Sequence, residues 1–434
     1  MTVRSLILAG GGMRVAWQAG VIAALEEAGV EIDHVDGTSG GIINAAMLLA
    51  GREPSDMCER WITLDVRRFF SPARLKTYLR GPTALMAFGD ADGIVDHVFP
   101  HLGVDTDRIR ASATPTGSFN VCNFTDKTNE VIPHTEIDLD LLVAGISLPI
   151  AMPVVQKGGV SYTDAVWIKD ANLLEAVDRG ATELWLAWCI GNTARYGEGP
   201  LEQYVHMIEM SANGALFAEL ERIRQVNAAG SGADEIVLHV IKPATPLPLD
   251  PIFFLGRIDA HTLCAMGYRD AKDYLTGMSK KGVALDNTVT KMEEPPLGVR
   301  FRETLHGRLK GRGPTELRLG VELAGGSGNV VGSITSHGSD RGWLWRGVAG
   351  IEGDELIYRA MVGEHKLEAR RRLGLRNLRD VDVTYDGFRA RFHLSRREAL
   401  RALTSIEPNG AHAIVDRVHA IRSFLRSLLL RKTV

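Results

Sequence analysis

Over about the first two thirds of the 434-residue chain, short apolar runs of strand length alternate with longer runs at helical spacing. Ser5 to Ala9, Ile32 to Asp36, Phe119 to Phe124, Leu184 to Ile190 and Glu235 to Ile241 read as strands. Trp17 to Glu27, Ile42 to Leu49 and Asp259 to Leu275 read as helices. Such alternation predicts an α/β fold with a mostly parallel sheet covered on both faces. The pattern breaks around 286–299, where Glu294-Pro295-Pro296 marks a linker. Beyond it the period becomes two: Thr315 to Leu323, Asn329 to Ser336 and Val381 to His393 alternate, with Gly and Asp between them. That predicts a smaller, mostly antiparallel β domain. The expected organisation is an α/β domain over 1–285, a linker over 286–299 and a β-rich domain over 300–434 that ends in a helix. In that helix Ile414, Val418, Ile421, Leu425 and Leu428 form one stripe, with Arg417, Arg422, Arg426, Arg431 and Lys432 around it. The stripe either docks onto a protein core or a second subunit, or lies on an anionic membrane.

Composition narrows the setting. With 45% hydrophobic residues the chain can bury two cores, yet no run approaches the 18 or so apolar residues that span a bilayer. The N-terminus enters a strand at once, so the expected location is cytoplasmic, with peripheral membrane association open. Cys58, Cys122, Cys189 and Cys264 are scattered without metal-ligand spacing, so neither a disulfide nor a metal is expected. The net charge of −3 conceals an asymmetry: residues 1–299 carry 25 Lys and Arg against 38 Asp and Glu, and residues 300–434 carry 25 against 15. A basic block of that size suits an anionic partner, either lipid headgroups or the acidic first domain. Nucleic acid is not expected, because no basic-aromatic binding motif accompanies the charge.

Two glycine-rich turns carry the candidate chemistry. Gly37-Thr38-Ser39-Gly40-Gly41 follows a strand and opens an apolar helix, the context in which a sharp turn exposes a nucleophilic serine. Gly10-Gly11-Gly12-Met13-Arg14 ends the first strand and precedes a helix. Its free amides and the helix dipole favour an anion. In acyl transfer that anion is the tetrahedral oxygen, so Gly10, Gly11 and Gly12, with Gly40, are candidate oxyanion donors, and Arg14 supports the field. A dinucleotide turn fits poorly, since its third glycine would fall at Val15.

These two motifs resemble the patatin-like phospholipases. The resemblance covers about two thirds of the chain, to roughly residue 285. It implies a three-layer α/β/α fold, a lipid ester substrate, no cofactor, and a Ser-Asp dyad in place of a triad. The family's aspartate lies in an Asp-Gly-Gly or Asp-Gly-Ala motif after a small-residue-and-proline segment. Here Ser147 to Val154 is followed by Asp164-Ala165-Val166, which makes Asp164 the dyad residue by resemblance and Asp170 the runner-up. Ala165 and Val166 depart from the family's small pair; a positive φ at the first would strain Ala165 by about 1–2 kcal/mol. A buried carboxylate can serve as the base if burial raises its pKa. His206, His239 and His261 are the alternative bases, and none has a flanking motif.

The expected function is a serine lipid acyl hydrolase of the phospholipase or lipase type. An acyltransferase using the same acyl-serine and a non-catalytic lipid-binding protein are the alternatives. A homo-oligomer is compatible with either. Two further segments stay open. Arg67 to Arg80 interleaves basic and aromatic residues, as a flap over an acyl channel or as a solvated helix. Phe301 to Gly307 faintly resembles β-rich segments of some bacterial lipid- and sterol-handling proteins.

Overall fold

The computed structural model describes residues 2–69, 71–72, 89–197, 199–230, 235–247, 259–337, 341–374, 377–411 and 413–429. Most of the basic-aromatic segment 67–80, and Arg431 and Lys432, lie outside the described residues. The chain forms two compact units, Met1–Glu293 and Glu294–Val434, divided within the stretch expected as a linker. Among the described residues no helix is long and apolar enough to cross a membrane.

The first unit is a mixed sheet with helices around it. Its strands are β1 (Arg4–Leu8), β2 (His34–Thr38), β3 (Thr116–Asn123), β4 (Thr128–Pro133), β5 (Val155–Lys157), β6 (Val160–Asp164), β7 (Glu183–Ala187) and β8 (Val237–Ile241). The spatial order is β8-β7-β1-β2-β3-β6-β5, with β4 on β3. From β8 to β3 all neighbours are parallel. β4, β5 and β6 join antiparallel and complete the β3 side. Strands β1, β7 and β8 read as largely apolar runs because helices cover both faces: Leu6, Ile7, Leu8, Leu184, Leu186 and Leu238 are all nearly unexposed. β2 is buried along its whole length although it includes His34, Asp36 and Thr38. Two of these polar groups are satisfied inside: Asp36 accepts from Ser118 Oγ at 2.5 Å and Asn120 Nδ2 at 2.7 Å, and His34 Nδ1 pairs with Ser5 Oγ at 2.8 Å.

The second unit is a closed antiparallel barrel. Eight strands, Gly298–Leu309, Gly313–Ala324, Ser327–Ser336, Gly342–Glu352, Glu355–Val362, His365–Arg372, Asp380–Tyr385 and Phe388–His393, pair each with the next. The last returns to the first at His306–His393, which closes the sheet on itself. Inward positions alternate with outward ones, placing Leu305, Leu317, Leu356, Leu367, Val381 and Phe392 in one core. Phe301 and Glu303 of the Phe301–Gly307 segment also point inward. Glu303 pairs with Arg371 at 2.6 Å, both almost wholly buried, beside Tyr358. The first strand starts at Gly298, two residues before the expected boundary.

The terminal helix, Ile414–Leu429, docks onto this barrel core on a face rotated from the expected stripe: Leu428 is shared, Ile421 packs at the edge and Val418 turns outward. Ala420, Phe424 and Leu428 are buried, and the Phe424 ring lies 5.1 Å from that of Phe301. Val418 is 59% exposed, and Ile421 is only partly buried. The stripe rotates because Phe424 has the larger apolar area to bury, and an alanine one turn earlier lets the helix approach the barrel.

Candidate active site

The sheet register is what brings Ser39 and Asp164 together. β2 runs beside β3 as far as Thr38, which faces Asn120. There the chain turns out of the sheet, and the next place, beside Val121, is taken by Asp164 at the end of β6. Ser39 Oγ donates to Asp164 Oδ2 at 2.6 Å.

The serine turn is tight for steric reasons. Ser39 has φ 52°, a left-handed conformation that costs a non-glycine residue about 1–3 kcal/mol. The helix Gly41–Leu49 begins against the end of β1, where a Cβ at Gly41 would overlap the Leu8 carbonyl oxygen. A Cβ at Gly40 would lie 2.7 Å from the Gly12 carbonyl oxygen. The two glycine turns are therefore in direct contact, and side chains on either face would separate them.

The first turn leaves β1 at Leu8 and passes through a 3-10 turn, Gly12–Val15, into the helix Ala16–Glu27. Amides at the start of such a segment have no intrahelical partner. The Gly10 amide, however, donates to both carboxyl oxygens of Asp170, at 3.0 and 3.1 Å. It is thus engaged, unlike the free donor expected from the sequence. Beneath the turn Cys189 Sγ donates to the Gly10 carbonyl at 3.1 Å. Arg14 is largely buried and its Nε donates to the Gly11 carbonyl at 3.1 Å. Two amide side chains brace the turn from its own helices. Gln18 Nε2 donates to the Ala9 carbonyl at 2.6 Å, and Asn44 Nδ2 to the Val15 carbonyl at 2.8 Å. Asn44 Oδ1 in turn accepts from Trp61 Nε1 at 2.8 Å.

Asp164 is held as firmly. Its amide donates to the Ser147 carbonyl at 3.1 Å, and Thr163 Oγ1 donates to the same oxygen at 2.6 Å. Its Oδ1 accepts from the Val166 amide at 2.9 Å. Ala165–Trp167 is a right-handed 3-10 turn capped by that contact, so Ala165 avoids the positive φ considered above. Burial pushes the Asp164 pKa up to about 7, against the Ser39 and Val166 hydrogen bonds, which lower it. Burial pushes Asp170 well above the ordinary carboxylate range; the nearby Asp164 charge adds to this, while the Gly10 amide and Arg14 oppose it.

The three histidines lie elsewhere. His206 accepts from the Gly197 amide and pairs with Glu209; His239 faces Tyr274 and stacks on Trp185; His261 sits in the first turn of the helix Ala260–Gly277. None hydrogen-bonds Ser39 among the described contacts. The Asp170 contact and the Gln18–Asn44–Trp61 brace had no motif to announce them. Gln18 and Asn44 give one signal, each a polar residue inside an otherwise apolar helix; Asp170, between Lys169 and Asn172, gives none of that kind.

Residues 6–177 match the model of the patatin-like phospholipase family. Over that span the chain is similar to this family. Among solved structures it is similar to VipD from Legionella pneumophila, with a TM-score of 0.36 and 13% identity over 64% of this chain and 67% of that one. It is also similar to the type III effector protein ExoU, with a TM-score of 0.24 and 13% identity over 67% of this chain and 77% of that one. No curated protein matches the chain.

Proposed function

We propose that the first unit is a serine acyl hydrolase that cleaves carboxylic esters of lipids, phospholipids or acylglycerols, with Ser39 and Asp164 as a catalytic dyad. The observation that carries this reading is the 2.6 Å hydrogen bond from Ser39 Oγ to a buried carboxyl group, which among the described contacts has no histidine or cation bonded to it. As Oγ attacks the ester carbonyl, its proton passes to Asp164. Protonated Asp164 then gives that proton to the departing alcohol oxygen as the ester C–O bond breaks, leaving an acyl-serine. Water attacks the acyl-serine in the reverse sense: Asp164 takes its proton and returns it to Oγ, and a free fatty acid leaves. A base with a pKa near 7 is matched to this exchange at neutral pH.

The tetrahedral oxygen is received by the amides of Gly11, Gly12 and Gly40, with Arg14 adding positive field. The Gly10 amide is left out of this set because Asp170 already accepts from it. The test is release of free fatty acid from phosphatidylcholine vesicles and of p-nitrophenol from a short-chain ester, by the wild type beside Ser39→Ala and Asp164→Asn. Turnover that survives in both variants removes the reading. An added alcohol or thiol that captures the acyl group would make the same chemistry an acyltransferase.

A further inference from the structure

We propose that Asp170 is the positioning residue of the oxyanion-binding turn: its carboxyl group holds the Gly10 amide and so sets the Gly11 and Gly12 amides beside the Ser39 hydroxyl. Its catalytic consequence rests on the acyl-hydrolase reading above; its structural consequence rests on geometry alone.

Asp170 is fully buried, and its two oxygens share one N–H donor. A Cβ placed on Gly10 would overlap Asp170 Oδ1 and lie 2.8 Å from Ser39 Cβ, so the carboxyl group, the turn and the serine meet at one point. The same short segment delivers both carboxyl groups. Asp164 caps the 3-10 turn Ala165–Trp167, and the amides of Ile168 and Lys169 close onto the Ala165 carbonyl at 2.8 Å. Lys169 is then pinned by Glu219 at 2.6 Å and by Asn172 Oδ1 at 3.1 Å. Asn172 donates to Asn120 at 2.8 Å, and Asn120 donates to the Gly37 carbonyl at 3.2 Å, two residues before the serine.

Residues 164–170 therefore act as one brace with an arm on each half of the site. Asp164 takes the serine proton, and Asp170 fixes where the receiving amides stand. A buried carboxyl group is costly to keep, and this one neither hydrogen-bonds the serine nor reaches solvent. Its hydrogen bonds go to the backbone of the glycine turn. Losing a correctly placed oxyanion donor lowers kcat about 10²–10³-fold in comparable sites. Because oxyanion donors act on the tetrahedral oxygen and not on the bound ester, the loss falls on kcat and leaves KM nearly unchanged.

The experiment compares the full-length wild type with Asp170→Ala and Asp170→Asn, using a short-chain p-nitrophenyl ester and amide hydrogen exchange of the peptide spanning Gly10 to Gly12. In Asp170→Ala, kcat falls about 10²-fold or more with KM within about twofold, and the peptide exchanges faster than in the wild type. In Asp170→Asn, whose carboxamide oxygen still accepts from Gly10, exchange protection and most of kcat return. Unchanged exchange in Asp170→Ala overturns the proposal whether or not the protein hydrolyses the ester. An unchanged kcat in an active enzyme overturns it as well. A wild type inert toward the ester, together with accelerated exchange in Asp170→Ala, keeps the positioning role and removes the hydrolase reading. Should Asp170→Ala not fold, Asp170→Asn decides, and loss of both its exchange protection and its activity overturns the proposal.

Discussion

The dyad assignment makes a definite statement about pH. Asp164 is buried without a cation bonded to it among the described contacts, and burial lifts its pKa from an ordinary 3.8 to about 7. Only the ionised form accepts the serine proton. Its fraction is about one tenth at pH 6 and about one hundredth at pH 5, so kcat/KM for a neutral ester falls about tenfold per unit below pH 6. A solvated aspartate would leave the rate flat down to about pH 5. The assay is kcat/KM for a p-nitrophenyl ester from pH 4.5 to 9, with stability checked at each pH so that unfolding is not read as titration. A plateau reaching down to pH 5 refutes the argument, either because Asp164 is hydrated or because it is not the base. The same shift has a stability counterpart with a definite sign. A carboxyl group whose folded pKa is raised stabilises the fold below its unfolded value, near 4, and that contribution is lost as pH rises through about 7. Three pKa units correspond to on the order of 4 kcal/mol.

Asp36, also buried and raised to about 7, contributes a parallel decline, so Asp36→Asn should flatten the fall in the urea midpoint of the first unit between pH 5 and 8; an unaltered slope means Asp36 titrates normally. Ser39→Gly and Ser39→Ala both lose the hydroxyl and turnover, but the glycine relieves the left-handed conformation and should be about 1 kcal/mol more stable than the alanine variant; a glycine variant no more stable than the alanine one would show that position 39 is not strained. Gly41→Ala forces a methyl into the Leu8 carbonyl and should cost about 1–3 kcal/mol together with most activity, measured by thermal unfolding and ester turnover; a neutral result contradicts the close approach of helix and strand. In the barrel, Arg371→Met leaves Glu303 buried without its partner and should cost about 3–5 kcal/mol, whereas replacing both residues by apolar ones recovers most of it in a double-mutant cycle; equal losses in single and double variants would deny the pairing.

Much of this was legible in the sequence, for local reasons. Strands β1 and β2 and the helices after them announce themselves because a glycine turn separates each strand from its helix, and because β1 is apolar nearly throughout, as a buried parallel strand is. The Ser39 turn was readable because glycines flank it where side chains would collide. What could not be read is long-range. β6 sits beside Val121 only because β2 ends one residue earlier, a matter of register across 125 positions that no local pattern encodes. Asp170 differs from a surface aspartate only by its burial, and its partner is a backbone amide 160 positions away. The barrel strands showed their alternation, but closure depends on one pairing between the first strand and the eighth. For the terminal helix the periodicity holds and the face is rotated: Leu428 docks as expected, but Ala420 and Phe424 dock in place of Val418, since which stripe docks depends on the shape of the surface that receives it.

The central claim is that Ser39 is a nucleophile activated by Asp164. The most direct measurement is the rate of covalent labelling by a fluorophosphonate probe, with the modified peptide mapped by mass spectrometry, in the wild type, Ser39→Ala and Asp164→Asn. The account predicts a single adduct on Ser39, none in Ser39→Ala, and a rate about 10²–10⁴-fold lower in Asp164→Asn. Labelling at another residue, or an undiminished rate in Asp164→Asn, would contradict it.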